Sequence, residues 1–386
     1  MARANHSTPL IYLTVNDGPS GVYTGQVIDV VRLLREDCKT PARLVALVPL
    51  VLFRKHRKTI RSQMPDAIVI PMVPKLRNWR FNLAQLVLVF GRLGRCSVIA
   101  RNPLAANLAL TCRSLGLVKR VCYDGRGAVA AEVAEYSPGN PLERLMPGME
   151  GRAVLESDFR IAVSPRLVAY WEQQYGYASD KHVVIPCSYS GHFEEVDLAA
   201  ARGKRGELGL LDEDIVLVFA GGTSGWQSAE LLAKTVSAFL AKSPAHKLIC
   251  LSQDRVVERL LAQFPNQVRQ FWLEPRQVPA TMAAGDYGLL IREPTITNWV
   301  GAPVKFAEYL ACGLPVICSD CIGYCADFIK MHKAGFVVDG NANEPLALPP
   351  VAMAEKLRIR ALAESWYSKK SERIKTGYLR AVEAVG

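Results

Sequence analysis

The stretch Arg292-Glu-Pro-Thr-Ile-Thr-Asn-Trp-Val-Gly-Ala-Pro-Val-Lys-Phe-Ala-Glu-Tyr-Leu-Ala-Cys-Gly-Leu-Pro-Val-Ile317 reads as a loop, a short helix and a buried strand in close succession. Pro303 suits the first helical position, where its missing N–H costs nothing, and Gly313 predicts the end of the helix. A helix N-terminus directs backbone amides outward, and its dipole favours an anion such as a phosphate. The amides expected to do so here belong to Gly301, Ala302 and Val304. The segment therefore predicts an anion site.

Glu308 lies one turn further into this predicted helix, between the apolar residues Phe306 and Tyr309. Two interpretations of this acid are open. It can accept hydrogen bonds from two neighbouring hydroxyls, such as those of a ribose. Alternatively, it can lie on a solvated face and pair with Lys305 at the i, i+3 spacing.

The run Pro303-Val-Lys-Phe-Ala-Glu-Tyr-Leu-Ala-Cys-Gly-Leu-Pro-Val-Ile317 resembles the nucleotide-sugar site of family 4-like glycosyltransferases of the GT-B fold, including bacterial polysaccharide enzymes. In that family Pro-x-Lys-x-x-Glu-Tyr-x-Ala-x-Gly-x-Pro-Val recurs. The resemblance implies that Glu308 holds the ribose of a nucleoside diphosphate sugar and that the preceding amides hold its diphosphate. Further matches occur in the family's order at Val163-Ser-Pro165, Val184-Ile-Pro-Cys187, Phe219-Ala-Gly-Gly-Thr-Ser-Gly-Trp226 and Met282-Ala-Ala-Gly-Asp-Tyr-Gly-Leu-Leu290.

The chain has 386 residues, which favours two domains, because single cores stop growing near about 250 to 300 residues. Short apolar β-rich runs alternate with helical segments in both halves, a pattern typical of parallel sheets. We expect an α/β protein of the GT-B type, with two Rossmann-like doubly wound domains facing across a cleft. The predicted boundaries are 1–190 for the N-terminal domain, 191–213 for a linker, 214–364 for the nucleotide-sugar domain and 365–386 for a helix packing back on the first domain.

The predicted donor site also includes a glycine-rich turn after the strand Ile215 to Phe219. Such a turn lets backbone approach a phosphate closely. Its residues are Gly221, Gly222, Thr223 and Ser224. Most relatives carry a basic residue just after this turn, whereas this chain has Trp226 and Gln227. The cations left for the diphosphate are Arg292, Lys305 and Arg255, and we predict catalytic roles for Arg292, Lys305 and Glu308. A salt bridge from Arg292 to Glu293 or Asp286 is the structural alternative.

Many relatives have a second glutamate that contacts the transferred sugar, and the matching position here is Val300. The nearest polar substitutes are Glu293, Thr297 and Asn298. The resemblance places the nucleobase by Trp272-Leu-Glu-Pro-Arg276, so Trp272 and Arg276 are further candidates. The sequence therefore leaves the base, the sugar and its linkage open.

Two turns of the N-terminal half are candidates for acceptor binding. Ser20-Gly-Val-Tyr-Thr-Gly25 follows the first strand and opens a helix, which makes Asp17, Gly21 and Gly25 plausible contacts. Asp124-Gly-Arg-Gly127 resembles the Asp-x-Arg-Gly turn of some polysaccharide glycosyltransferases, which adds Asp124 and Arg126. Ordinary turn formation is the alternative for both segments, because Asp and Gly favour turns.

Charge is concentrated at the N-terminal end. The chain has a net charge of +11, but residues 1–120 hold 19 Lys and Arg against 5 Asp and Glu. The densest run is Phe53-Arg-Lys-His-Arg-Lys-Thr-Ile-Arg61. It is either a solvated helix face or a site for an anionic partner, such as an anionic membrane surface, a lipid phosphate or nucleic acid. Nucleic acid alone leaves the Glu308 motif unexplained, so we disfavour it.

Neither a secretory signal nor a membrane span is expected, because the apolar run Leu10 to Val15 is too short for either. Ten scattered cysteines favour a reducing cytoplasm, with the protein free there or peripheral at the inner face of the membrane. The cluster Cys312, Cys318, Cys321 and Cys325 lacks metal-ligand spacing and no paired histidine is present, so we predict no metal and no cofactor.

The sequence thus predicts a retaining, metal-independent glycosyltransferase. It would move a sugar from a nucleoside diphosphate sugar to a glycan acceptor, which we expect to be lipid-linked, in cell-surface polysaccharide synthesis. A nucleotide-sugar epimerase of the same fold is one alternative, although it needs an acid and base pair that the sequence does not suggest. A catalytically silent relative that serves as a binding or assembly subunit is another, because Val300 and Trp226 depart from the family pattern.

Overall fold

The structure is a computed structural model that describes residues 9–222, 225–339 and 347–386. The chain forms two compact units. The first contains Met1–Pro186 together with Glu372–Gly386, and the second is Cys187–Ser371. The chain therefore leaves the first unit after Pro186 and returns to it at Glu372, and each unit is described separately below.

Strands and helices alternate along the whole chain. The strands are β1 Leu10–Val15, β2 Ala42–Val48, β3 Ile68–Pro71, β4 Cys96–Arg101, β5 Val118–Gly125, β6 Phe159–Ala162, β7 His182–Val184, β8 Ile215–Ala220, β9 His246–Leu251, β10 Val268–Gln270, β11 Tyr287–Leu290, β12 Val316–Ser319 and β13 Gly335–Val338. The α-helices are α1 Gly21–Tyr23, α2 Asp29–Glu36, α3 Phe53–Gln63, α4 Asn82–Leu93, α5 Asn102–Ser114, α6 Val129–Tyr136, α7 Met146–Glu156, α8 Pro165–Tyr175, α9 Ala200–Glu207, α10 Ala229–Leu240, α11 Arg255–Gln263, α12 Val278–Ala283, α13 Ile296–Val300, α14 Val304–Ala311, α15 Gly323–His332, α16 Met353–Tyr367 and α17 Glu372–Val385.

The first unit is built on a seven-stranded sheet in the order β3-β2-β1-β4-β5-β6-β7, with every pair parallel. All six residues of β1 are buried, as expected for a central strand covered by helices on both faces. The strand order reverses between β1 and β4. In doubly wound sheets ligands bind outside the carboxyl ends of the strands at such a reversal.

The second unit has a six-stranded parallel sheet in the order β10-β9-β8-β11-β12-β13. Here the order reverses between β8 and β11. The glycine-rich turn follows β8 and Arg292 follows β11, so both predicted features lie at the reversal. Two doubly wound parallel sheets agree with the predicted fold class.

The segment 191–213, predicted as a linker for its polar, glycine-punctuated composition, belongs to the second unit. It contains α9, in which Arg205 is buried. Arg205 Nη1 lies 3.1 Å from Asp286 Oδ2 and also donates to the carbonyl oxygen of Ala284. Lys356 Nζ of α16 is 3.7 Å from the other oxygen of Asp286. These buried contacts fix α9 and α16 against the strand β11.

The C-terminal tail is divided between the two units. The sequence suggests helix interruptions near Ser365 and Gly377, whereas the structure has its break between Tyr367 and Glu372 and keeps Gly377 inside α17. A Cβ on Gly377 would lie 2.9 Å from the Ile185 side chain, so this glycine permits close packing. The sequence also offers three aromatic residues of the tail as anchors on the first unit, namely Trp366, Tyr367 and Tyr378. Tyr378 is buried in that unit, whereas Trp366 and Tyr367 pack against Phe328 in the second.

Within the described part of the chain, no helix is both long enough and apolar enough to span a membrane.

Candidate functional site

The start of α14 forms the centre of the predicted donor site. Pro303 is the residue that precedes the helix, with an extended ψ of 134°, and Val304 is the first helical residue. The sequence prediction placed Pro303 one position too far inside. Phe306 N bonds the Pro303 carbonyl at 3.0 Å, which leaves the amides of Val304 and Lys305 in the first turn, where no preceding helical carbonyl is available.

The predicted amide set needs one correction. Gly301 N donates to the Asn298 carbonyl oxygen at 3.3 Å and so ends α13 instead of facing an anion. The opposite end of α14 agrees with prediction. Gly313 has a φ of +71° and its amide donates to the Leu310 carbonyl, while Leu314 N donates to Tyr309 O at 3.0 Å. This pair of bonds is a Schellman motif, which favours glycine in the left-handed conformation.

Glu308 combines features of both interpretations. Only 8% of the residue is exposed, so it does not lie on a solvated face. Its Oε2 nevertheless accepts from Lys305 Nζ at 2.7 Å, across the i, i+3 spacing. The Lys305 side chain is about one-third exposed, with its charge shared between the acid and solvent. A buried carboxylate therefore lies behind the amide-rich helix start, neutralised by a lysine that can move.

Tyr309 connects α14 to the glycine-rich turn. Its ring packs against Gly288, where a Cβ would lie 2.3 Å from the ring, so the helix approaches β11 closely. Its hydroxyl accepts a hydrogen bond from Ala220 N at 2.8 Å, at the last residue of β8. Burial raises the pKa of this hydroxyl above its ordinary value and keeps it protonated. The neighbouring helix thus fixes the position at which the turn begins.

The turn itself begins with Gly221 and Gly222. A Cβ on Gly221 would meet the Gln227 side-chain oxygen at 2.4 Å, and one on Gly222 would lie 3.8 Å from the Gln227 nitrogen. The amide of Gln227 therefore lies over the turn, near where relatives have a basic side chain. Thr223 and Ser224, also predicted for this site, lie outside the described residues.

Ser228 joins the turn to the loop after β11. It has a left-handed backbone, with a φ of +49°, and is buried. Its Oγ accepts from Glu293 N at 2.9 Å. Because a non-glycine residue in this conformation is strained, the contact to Glu293 is one of the interactions that hold it there.

Arg292 lies directly beyond β11 and is buried. Its Nη1 donates to Asn298 Oδ1 at 3.1 Å, and its backbone amide donates to Ser319 Oγ at 2.9 Å. Asn298 is fully buried and also donates to the Glu293 carbonyl at 3.0 Å. Asp286, one of the suggested salt-bridge partners, instead pairs with Arg205 and Lys356. Arg292 therefore braces the loop that leads into α13.

The remaining donor-site candidates differ in exposure. Val300, at the position of the missing glutamate, is fully buried. Glu293 is exposed and Thr297 half-buried, so the loop offers polar groups at the surface even though Val300 does not. Trp272, just beyond β10, is 70% exposed, and Arg276 is exposed as well.

In the first unit, two charged residues meet at the strand-order reversal. Arg101 ends β4 and Asp17 follows β1, and Arg101 Nε donates to Asp17 Oδ2 at 3.0 Å. Asn102, with a φ of +76°, donates to the Val15 carbonyl at 2.8 Å and ties the two strand ends together. Sequence reasoning named Asp17 but missed Arg101, because nothing in the local pattern around Arg101 marks it.

Asp124 extends this cluster across β5. It is fully buried and its Oδ1 lies 2.7 Å from Arg126 Nε, while Tyr12 donates to its Oδ2 at 2.5 Å. Arg101 Nη1 is 4.0 Å from the same oxygen. Arg126 reaches Tyr378 of α17, donating to its hydroxyl at 2.9 Å. Burial and the neighbouring Asp124 raise the pKa of Tyr12 well above its ordinary value.

The two glycines predicted as acceptor contacts differ in exposure. Ser20 begins α1 and its Oγ accepts from Tyr23 N at 3.1 Å. Gly21 is exposed, with nothing near the position of an added Cβ, whereas Gly25 is buried within a π-helical turn, Thr24–Ile28. Arg101 thus lies beside both Asp17 and Asp124, and Asp124 in turn pairs with Arg126, whereas Gly25 has a packing position.

A buried carboxyl group lies at the start of α6. Glu150 of α7 accepts from the amides of Val129 and Ala130, at 3.1 and 2.9 Å, at the start of α6. The Tyr175 hydroxyl donates to it at 3.0 Å. Burial raises the pKa of Glu150 to about 7.

A cavity of about 450 Å³ lies elsewhere in the first unit, among α4, α5 and α7. Its lining includes Trp79, Leu83, Leu108 and Met149 and none of the predicted site residues. Over the residues that the structure describes, no group of three or more His, Cys, Asp or Glu side chains is arranged to hold a metal ion.

Comparisons with known proteins bear on the family and on the fold. Residues 214–349 match the family model described as Glycosyl transferases group 1. A sequence comparison with proteins of curated function gives no match.

Several solved structures share the fold. Alr3699/HepE from Anabaena in complex with UDP is 15% identical, with a TM-score of 0.70 over 97% of this chain and 98% of that one. Sucrose-phosphate synthase from Thermosynechococcus elongatus is 16% identical, with a TM-score of 0.76 over 98% and 100%. WaaG, a glycosyltransferase involved in lipopolysaccharide biosynthesis, is 15% identical, with a TM-score of 0.66 over 98% and 99%.

Proposed function

We propose that this chain, a glycosyltransferase of the GT-B fold, moves a sugar from a nucleoside diphosphate sugar to a glycan acceptor. One observation carries the proposal: Glu308 is buried behind the amide-rich start of α14, at the strand-order reversal of the second unit. The similar Anabaena protein has been crystallised with UDP-glucose, which supports the donor class.

Donor binding would rearrange the Lys305–Glu308 pair. Two ribose hydroxyls can donate to the two oxygens of Glu308, since an ionised carboxylate accepts several hydrogen bonds. Lys305 is partly exposed and needs only a rotamer change to turn its charge toward the diphosphate. Until the donor binds, Lys305 occupies the position at Glu308 that a ribose hydroxyl would take.

The diphosphate would lie between the two turns at the strand reversal. The amides of Val304 and Lys305, together with the helix dipole, favour an anion at the start of α14. Gly221 and Gly222 allow the backbone to approach the same anion, with the neutral Gln227 amide adding a hydrogen-bond donor. Lys305 and the nearby Arg292 supply positive charge, which is the basis for proposing transfer without a metal ion.

The proposed reaction retains configuration at the anomeric carbon. The bond from that carbon to the diphosphate oxygen breaks, and a bond to the acceptor oxygen forms on the same face. The departing diphosphate takes the proton of the acceptor hydroxyl, so no separate protein base is needed. Positive charge and oriented amides lower the barrier by stabilising the negative charge on the leaving group.

The acceptor would bind at the Asp17–Arg101 pair of the first unit. Arg101 Nε holds the Asp17 carboxylate in place at the open edge of this cluster. Asp17 is partly exposed and can accept from a hydroxyl. A lipid-linked glycan in cell-surface polysaccharide synthesis fits this polar pair and the basic composition of residues 1–120.

Val300 favours a second candidate, a nucleotide-binding relative without transfer activity. Its side chain is apolar and fully buried where many relatives contact the sugar with a carboxylate. Such a protein would bind the nucleoside diphosphate but would not turn over the sugar.

Thermal unfolding with a panel of nucleoside diphosphates and their sugars tests the donor site. A nucleotide present at 100 times its dissociation constant should stabilise the fold by about 2.7 kcal/mol. No stabilisation by any nucleotide would contradict the proposal. Transfer of radiolabelled sugar to a membrane extract, with and without EDTA, then separates the two candidates, and we expect chelation to leave the transfer rate unchanged.

A further inference from the structure

An apolar tip followed by a basic helix stands at the carboxyl edge of the first sheet. Leu50, Val51 and Leu52 form a short 3-10 helix after β2, and they are 48%, 94% and 43% exposed. Single exposed apolar side chains are common, but contiguous ones mark interaction sites. Val51 in particular is almost completely surrounded by solvent.

The helix that follows the tip carries only basic charge. Four exposed residues occupy the first two turns of α3, namely Arg54, Lys55, Arg57 and Lys58. No Asp or Glu occurs between Asp37 and Asp66, whereas that interval holds seven Lys and Arg. Those two turns extend only about 9 Å along the helix, which is close to a Debye length at physiological salt. The four charges therefore act together.

We propose that this surface, Leu50–Lys58, docks the protein on an anionic lipid bilayer. The three apolar side chains would enter the boundary between headgroups and acyl chains, and the basic side chains would remain at the level of the lipid phosphates. Duplex nucleic acid would engage the charges alone and leave the apolar tip in water, so the bilayer accounts for more of the surface.

The docking surface lies close to the proposed acceptor site. A Cβ on Gly18 would lie 3.2 Å from the His56 ring, so the loop that carries Asp17 packs directly against α3. Strands β2, β1 and β4 are neighbours, and adjacent strands are about 4.8 Å apart, so the tip and the Asp17–Arg101 pair share one edge of the sheet. The lipid-linked acceptor is part of the proposed function, and the inference rests on that proposal. A protein docked in this way would meet the reacting hydroxyl of the acceptor at this edge of the sheet.

Vesicle co-sedimentation of the full chain tests the surface. We expect binding to vesicles of phosphatidylcholine mixed equally with phosphatidylglycerol, and little binding to phosphatidylcholine alone. Replacing Val51 with Asp should weaken binding at least tenfold. Because each basic residue near an anionic leaflet contributes a factor of about five, the combined glutamine variant of the four residues should weaken it more than tenfold and lose the salt dependence. Met331→Asp, at a position 73% exposed in the second unit, is the matched control and should bind as the wild type does.

Three results would overturn the inference: no binding of the wild type to anionic vesicles at low salt, unchanged binding by Val51→Asp, or displacement of vesicles by duplex DNA at physiological salt. Self-association that Val51→Asp abolishes, without vesicle binding, would assign the tip to a second copy of the chain instead. Nucleotide-dependent stabilisation measured on the same variants keeps the two proposals distinguishable. If a nucleotide stabilises the protein but no variant binds vesicles, only the docking surface is rejected. If no nucleotide stabilises the wild type, the donor site is rejected.

Discussion

The donor site of the second unit and the charged cluster of the first are built in opposite ways. In the second unit the paired groups are close in sequence, as in Lys305 with Glu308, and one partner of that pair is partly exposed. In the first unit Asp124 is fully buried and its partners Tyr12 and Arg126 include a residue 112 positions away. A site of the first kind can exchange a protein partner for a ligand. A cluster of the second kind mainly holds the strand ends together, and only its edge at Asp17 is open.

The sharpest test of this difference is Asp124→Asn. Removing one partner of a buried ion pair leaves the other charge uncompensated, so we expect unfolding to become easier by about 3 to 5 kcal/mol. Urea denaturation measures the change. Asp66→Asn, which breaks the exposed pair with Arg35, is the control and should cost less than about 1 kcal/mol. Equal losses in the two variants would show that Asp124 is not a structural centre.

Glu150 should make the stability of the first unit depend on pH. Its folded pKa of about 7 is above the ordinary value of 4.5, so the folded state holds its proton more tightly than the unfolded state does. Its contribution to stability is therefore complete below pH 4.5 and is lost as pH rises to about 7. A shift of this size corresponds to about 3 kcal/mol. Glu150→Gln should flatten the dependence of unfolding free energy on pH across this window, and an unchanged slope would contradict the prediction.

Glu308→Gln tests the exchangeable pair. We expect donor binding to weaken by about 1.5 to 3 kcal/mol, because hydrogen bonds to a charged group are lost, while unfolding free energy hardly changes. Calorimetric titration with the stabilising nucleotide measures the effect. Glu207→Gln breaks the matching i, i+3 pair with Lys204 on α9 and should leave donor affinity intact. The assignment of Glu308 fails if the two variants bind the donor equally well.

The smallest expected effect is that of Tyr309→Phe. The ring still packs against Gly288, but Ala220 N loses its acceptor, so we expect a stability loss of about 1 kcal/mol and a donor affinity reduced a few-fold. Tyr287→Phe removes the hydrogen bond to the Pro349 carbonyl at the far end of β11. It should lower stability similarly without affecting the donor. If Tyr309→Phe binds the donor as tightly as the wild type does, the hydroxyl of Tyr309 on α14 does not position the glycine-rich turn for the donor.

The architecture was predictable because buried parallel strands are continuous apolar runs between helices. The expected α/β GT-B fold and the glycosyltransferase resemblance are both confirmed by the fold and by the family match over residues 214–349. The motif also fixed the position of Glu308. What it could not show is burial together with pairing to Lys305, because sequence spacing describes a helix face without saying which elements cover it. The roles predicted for the site residues remain predictions.

The first-unit cluster was predictable only in part. Asp17 and Asp124 stand out because glycine follows each of them in a stretch whose sequence predicts a turn after a strand, although Asp124 itself lies within β5. Arg101 and Tyr12 lie inside ordinary strands, and only the parallel pairing of β1, β4 and β5 brings them beside those acids. The assignment of residues 191–213 to a linker has a similar origin. Polar composition predicted exposure there, but Arg205 is buried on Asp286 through contacts distant in sequence.

Because α17 packs in the first unit, the two units can complete their folding only in a particular order during synthesis. Ile374, Tyr378 and Val385 are buried among side chains contributed by residues 10–185, so that core has a gap until the final helix has been made. Cys187–Ser371 must be synthesised in between, which at about 5 to 20 residues per second takes roughly 10 to 40 s. During that interval the second unit can complete its own sheet while the first waits with an uncovered apolar face. The synthesis of α17, and not the passage of the first 186 residues, is therefore the step that completes the core of the first unit.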